Sequence, residues 1–157
     1  MDRFKEQARD RYLNGAELER FSQALDEMVT EDDLRLEVAA AIRLLLLTAA
    51  RLNEALTIRW EWIDLDRRVI NLPDSKTGKK PLFLSEAAVE VILSLQTARR
   101  GSESPLLLPG RLKGKSLNNL SKLWRWVCER VGLSAFDFTT YATRRQASQL
   151  AAGRARL

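Results

Sequence analysis

The sequence predicts a mainly α-helical domain carrying a small antiparallel β-sheet, an α+β fold. Three observations lead there. Apolar residues recur at three- and four-residue spacing through most of the chain, that period is lost between Val69 and Leu84, and a Ser-Lys-Thr-Gly-Lys turn divides that stretch. With 157 residues, 45% hydrophobic and 30% charged, the chain is sized for one compact unit with its own core.

Residues 1–13, MDRFKEQARDRYL, form a charged lead-in that reads as linker. A first helix runs from Asn14, its expected cap, to Met28, with Leu18, Phe21 and Leu25 on one face. Thr30 is expected to cap a second helix, TEDDLRLEVAAAIRLLLLTAA, with acids in its first turn and apolar residues nearly all round later. That helix should be the most buried. A short helix follows at LNEALTI. Val69, Ile70 and Leu72 then pair with Leu82, Phe83 and Leu84 across the turn as a hairpin. Ser85 caps an amphipathic helix, SEAAVEVILSLQTARR. A Gly/Ser/Pro loop, the apolar PLLLPG and the basic RLKGKS lead into LNNLSKLWRWVCERVG, a helix closed by Gly132. Trp60 with Trp62, and Trp124 with Trp126, alternate in a way that suits half-buried packing.

Charge and composition exclude several classes. Net charge is +5, an excess that permits a nucleic-acid partner without requiring one. Cys128 is the single cysteine and there is no histidine, which leaves neither an internal disulfide nor a zinc ligand set. A reducing cytoplasm is the simplest setting. The most apolar run, Val38 to Ala50, is broken by Arg43 and too short to span a bilayer, so no membrane partner is expected. The first residues lack the pattern of a cleaved leader, so export is not expected.

Two places carry candidate chemistry. Arg51 and Glu54 lie three apart, so on a helix the carboxylate shares a face with the guanidinium and holds it. A structural ion pair accounts for that spacing as well as a functional one does. Lys76 sits at the hairpin tip beside Lys79 and Lys80, where lysines are ordinary solvated residues.

The order of motifs goes further. An Arg-x-x-Glu follows an apolar helix; then come IRWEWIDLD, a hairpin with SKTGK, FLSEAAVEVI opening a helix, and LNNLSKLWRWV. In this order and spacing, from about Leu13 to Phe138, they resemble the catalytic domain of tyrosine-type site-specific recombinases, the phage integrase family. The resemblance implies DNA as partner and DNA integration or recombination as process. A tyrosine hydroxyl attacks a phosphodiester, two arginines bind the nonbridging oxygens, a hairpin lysine protonates the leaving oxygen, and no metal or other cofactor takes part. Arg51 matches the first arginine, Lys76 the hairpin lysine, and Glu54 the support that orients Arg51. Lys79, Lys80 and the loop residues Arg111, Lys113 and Lys115 would add phosphate contacts. The recombinase domain is thus read over 14–138.

After Gly132-Leu133 the family pattern calls for a motif of the type His-Asp-Leu-Arg-His-Thr, and two registers are open. In one, Tyr141-x-x-Arg144 lies on His-x-x-Arg, and Arg144 is the second clamp. In the other, Thr139-Thr140-Tyr141-Ala142-Thr143-Arg144 is the translation, one base late, of CAC GAC CTA CGC CAC ACG, and 139–157 is an out-of-frame tail. Arg144 and Arg145 also fit a solvated basic patch. In either register the nucleophilic tyrosine is expected beyond Leu157, since neither Tyr12 nor Tyr141 has its position. The chain is therefore expected to be truncated and catalytically incomplete, binding DNA weakly, acting as a noncatalytic DNA-binding or regulatory module, or persisting as a gene remnant. Apolar surface left uncovered would favour association with itself or with an intact recombinase.

Overall fold

The computed structural model describes residues 15–48, 50–75, 78–99, 101, 103–118 and 120–132. Among the described residues, five helices and a three-stranded sheet follow in the predicted order. They are α1 (Gly15–Thr30), α2 (Leu36–Leu47), α3 (Leu52–Leu56), a 3-10 turn at Trp60–Trp62, β1 (Ile63–Asp64), β2 (Val69–Ser75), β3 (Gly78–Phe83), α4 (Glu86–Arg99) and α5 (Leu120–Val131). The α+β expectation is met.

The core forms around α2, as its nearly continuous apolar sequence requires. Val38 to Ile42 and Leu44 to Leu47 are all buried, and α1, α3, α4 and α5 pack against this helix. Arg43 interrupts the run at little cost because its guanidinium leaves along α1: it donates to the Ser22 carbonyl at 2.9 Å and pairs with Asp26 at 2.7 Å. Phe21, Leu25 and Met28 of α1 close one side, and the Trp124 ring of α5 meets Phe21 at a centroid distance of 5.0 Å. Trp124 is thus fully buried core, while Trp126 remains 39% exposed.

In the sheet β2 is central, antiparallel to β1 and β3, with Ile70 opposite Ile63 and Leu82. Ile70, Leu72 and Leu82 face the same core as α2, whereas Phe83, one residue out of phase, is exposed. Ser85 caps α4 as expected, its Oγ accepting from the Ala88 N–H at 3.3 Å. Gly132 ends α5 with φ +78°, the left-handed conformation that glycine adopts without strain.

The start of the second helix differs from expectation. Thr30 belongs to the last turn of α1, where its hydroxyl donates to the Asp26 carbonyl at 2.8 Å. The acids 31–33 form the connection between the helices rather than a first helical turn, with Asp32 at φ 62° and the Leu34 N–H donating back to the Met28 carbonyl. Helix α2 begins only at Leu36, after Arg35, which makes no side-chain cap. Asn14, the expected cap of α1, lies outside the described residues.

Candidate phosphate-binding site

Arg51 is aimed by the way α2 stops. The Thr48 hydroxyl, buried, donates to the Leu44 carbonyl at 2.7 Å and accepts from the Ala50 N–H at 3.4 Å, turning the chain out of the helix. Arg51 itself is extended, φ −75° and ψ 154°, and its carbonyl accepts from the Ala55 N–H at 2.9 Å to open α3. Ala50, Ala55 and Leu56 are buried around it, so the backbone under Arg51 is anchored to the core. Its side chain is 45% exposed and meets the Glu54 carboxylate, 12% exposed, at Nε–Oε1 3.7 Å. The expected ion pair forms, and it leaves a guanidinium on the surface, held from behind, with donors for an oxyanion.

The basic loop after α4 is also well ordered by its own bonds. The Gly110 N–H donates to the Lys115 carbonyl at 2.7 Å, the Lys115 N–H to the Leu112 carbonyl at 3.1 Å, and Pro109 bridges Ser116. Arg111, Lys113 and Lys115 are exposed on it, as a phosphate contact requires. The loop walls an open cleft of about 600 Å³ whose other sides are the α1–α2 connection, with Asp32, Asp33 and Arg35, and the start of α5, with Lys122. Arg35 and Lys122 were not legible as site residues: they join Arg111 and Lys115 only through packing of three separate segments.

Arg51 and this cleft do not form one pocket. Arg35 precedes the first turn of α2 and Arg51 follows its end, so the 12-residue helix sets about 18 Å between them. Lys79 and Lys80 belong to β3 by their backbone. Lys76, Tyr141 and Arg144 lie outside the described residues.

Among the described residues no cluster of His, Cys, Asp and Glu has the arrangement of a metal site. No helix among them is long and apolar enough to cross a membrane.

A helical domain built on a buried central helix, with a three-stranded sheet and an exposed arginine at the start of α3, has the fold of the tyrosine recombinase catalytic domain. The chain belongs to the phage integrase family, whose model matches residues 11–153. Prophage integrase IntZ of Escherichia coli K12 is 39% identical over 85 residues, which are 52% of this chain and 21% of that protein. Among solved structures, XerA recombinase superimposes with a TM-score of 0.71 at 17% identity over 90% of this chain and 51% of its own. XerH recombinase, in a pre-cleavage complex with its difH substrate, gives 0.69 at 20% identity over 89% of this chain and 42% of its own. The chain therefore spans about a fifth of the curated relative, about half of XerA and about two fifths of XerH.

Proposed function

We propose that this chain is a DNA-backbone-binding recombinase domain in which Arg51 clamps the nonbridging oxygens of one phosphodiester, Glu54 orients Arg51, and Lys76 is the acid for the leaving oxygen. Arg51 carries the reading: an exposed guanidinium tethered to a nearly buried carboxylate, on backbone anchored in the core, is ready to receive an anion without reorganising. Relatives of the same fold have been solved with DNA, XerH with difH and the Tn1549 integrase with circular intermediate DNA, which supports DNA as the partner. Lys79, Lys80, Arg111, Lys113 and Lys115 add phosphate contacts along the duplex.

The second clamp in this reading is Arg144, in the register Tyr141-x-x-Arg144. The family match runs past Phe138 to residue 153 and so covers the segment on which the two registers differ. The nucleotide sequence across Phe138 decides between them: a His-Asp-Leu-Arg text in the neighbouring frame would restore the frameshift. In this reading neither Tyr12 nor Tyr141 is the nucleophile, because neither holds that residue's place in the family order.

Fluorescence anisotropy with a labelled duplex tests the binding. With about six phosphate contacts, affinity falls roughly a thousandfold between 50 and 200 mM salt. A duplex nicked next to the label tests the chemistry, and no covalent adduct should survive denaturing electrophoresis. Absence of binding at 50 mM salt overturns the proposal, and an adduct overturns its inactive half.

A noncatalytic module that pairs with itself or with an intact recombinase is the second reading. Trp126 on α5 and Leu93 on α4, 39% and 43% exposed, favour it as apolar contacts open to a partner. A sedimentation dilution series that stays monomeric to high concentration excludes the self-association.

A further inference from the structure

The loop from Pro109 to Ser116 holds one residue that phosphate binding does not explain. Leu112 is 71% exposed at its tip, between Arg111 and Lys113, with Lys115 following Gly114. Among the side chains whose exposure is described, the other leucines are buried or half-buried except Leu93 on α4, and of the large apolar ones Phe83, at 77%, is more exposed.

The tip is fixed rather than trailing. Besides the Gly110, Lys115 and Pro109–Ser116 contacts, the Leu117 N–H donates to the buried Leu108's carbonyl, and Gly114 takes φ +78° to turn the chain. Gly110 lies so close to its opposite strand that a Cβ there would stand 2.5 Å from the Ser116 carbonyl oxygen. None of Arg111, Lys113, Lys115 and the nearby Lys122 has an ion-pair partner among the described residues. The result is a braced loop whose exposed leucine stands between cations and, with Arg111, Lys115 and Lys122, lines the open cleft.

Resting on the DNA-binding reading above, we propose that Leu112 is a groove wedge: the flanking Arg111, Lys113 and Lys115 seat on phosphates while the leucine enters the groove and presses between base pairs. The chemistry fits that partner. Apolar side chains carried between cations unstack base steps, and pyrimidine–purine steps open most readily. A wedge also separates the two kinds of contact thermodynamically, because Leu112 releases no counterions and each phosphate-bound cation does.

The test uses the full 157-residue chain and a 30-base-pair duplex with 2-aminopurine at a central TA step, titrated at several salt concentrations. Leu112 is exposed, so Leu112→Ala leaves the fold intact, which circular dichroism checks. Wild type should raise 2-aminopurine fluorescence on binding. Leu112→Ala should abolish that rise and weaken binding roughly tenfold, with an unchanged salt slope. Lys113→Ala should instead lower the slope by about one and leave the fluorescence rise at saturation.

Wild-type binding with no fluorescence rise, or equal affinity and rise in Leu112→Ala, overturns the wedge and leaves the DNA-binding reading standing. No binding by the wild type overturns both. If Leu112→Ala instead loses binding to vesicles of anionic phospholipid while no DNA binding is seen, the tip serves a membrane surface and the proposal falls.

Discussion

The Arg51 guanidinium and the Glu54 carboxylate meet at 3.7 Å one helical turn apart, with the arginine 45% exposed and the glutamate 12%. The asymmetry means that the pair orients more than it stabilises. An exposed pair contributes within about 1 kcal/mol, so Arg51→Ala should leave thermal unfolding nearly unchanged. DNA affinity at low salt should drop about tenfold or more in Arg51→Ala, since a charge-assisted phosphate contact is lost. Glu54→Gln keeps the side-chain shape and removes the charge, so it should weaken DNA binding less than Arg51→Ala does. Anisotropy titrations beside melting curves check both. Equal DNA affinity in Arg51→Ala and wild type would remove the residue from the site.

The helices were legible because burial selects a 3.6-residue period, and α2 was legible as the centre because almost every position in it is apolar. The Arg51–Glu54 pair was legible for the same reason of spacing. Thr30 misled because a threonine before acids looks like a cap, while a threonine hydroxyl can equally satisfy the carbonyl four residues back, and here it does. Strand β1, two residues long, is too short to display a period. The cleft walls Arg35 and Lys122 were invisible because they lie 87 positions apart and only the docking of α5 beside the α1–α2 connection unites them. That docking is fastened by Arg130, whose guanidinium donates to Glu31 at 2.6 Å and Asp33 at 3.1 Å.

The same clasp gives a salt-dependent prediction. The pairing with Glu31 and then Asp33 holds the Arg130 guanidinium above its ordinary pKa, so it stays charged throughout the accessible pH range. Arg130→Ala should lower the melting temperature at low salt. The difference from wild type should shrink as salt rises, because the contact is exposed and screened. A difference that persists at 1 M salt would mean that the aliphatic stem, rather than the charge, fastens α5.

Gly110 is predicted to be intolerant of any side chain. A Cβ would meet backbone, the Ser116 carbonyl at 2.5 Å, and backbone cannot rotate aside as a side chain does. Gly110→Ala should cost about 1–3 kcal/mol or open the loop. Gly101→Ala has open space but a φ of +83°, so its cost is conformational and should not affect the loop. Hydrogen exchange at the Gly110 and Lys115 amides, whose loop bonds would be lost, distinguishes loop opening from global destabilisation in the Gly110 variant.

Cys128 supplies a pH dependence that can be assigned to one atom. Its thiol is fully buried in α5, and burial first, then the neighbouring Glu129 charge, pushes its pKa up from 9.0 to about 11. Between those values the unfolded chain releases a proton that the folded chain retains, so unfolding becomes easier as pH rises. The contribution is complete below about pH 9 and is lost by about pH 11, on the order of 2 kcal/mol. Cys128→Ala should therefore be less stable than wild type at pH 7 through its small cavity, yet lose less stability between pH 9 and pH 11. Urea unfolding at the two pH values measures the difference directly. In the native wild type the thiol should react with a disulfide reagent only as fast as the protein opens, and parallel stability curves for the two proteins across that interval would show that Cys128 ionises as freely folded as unfolded.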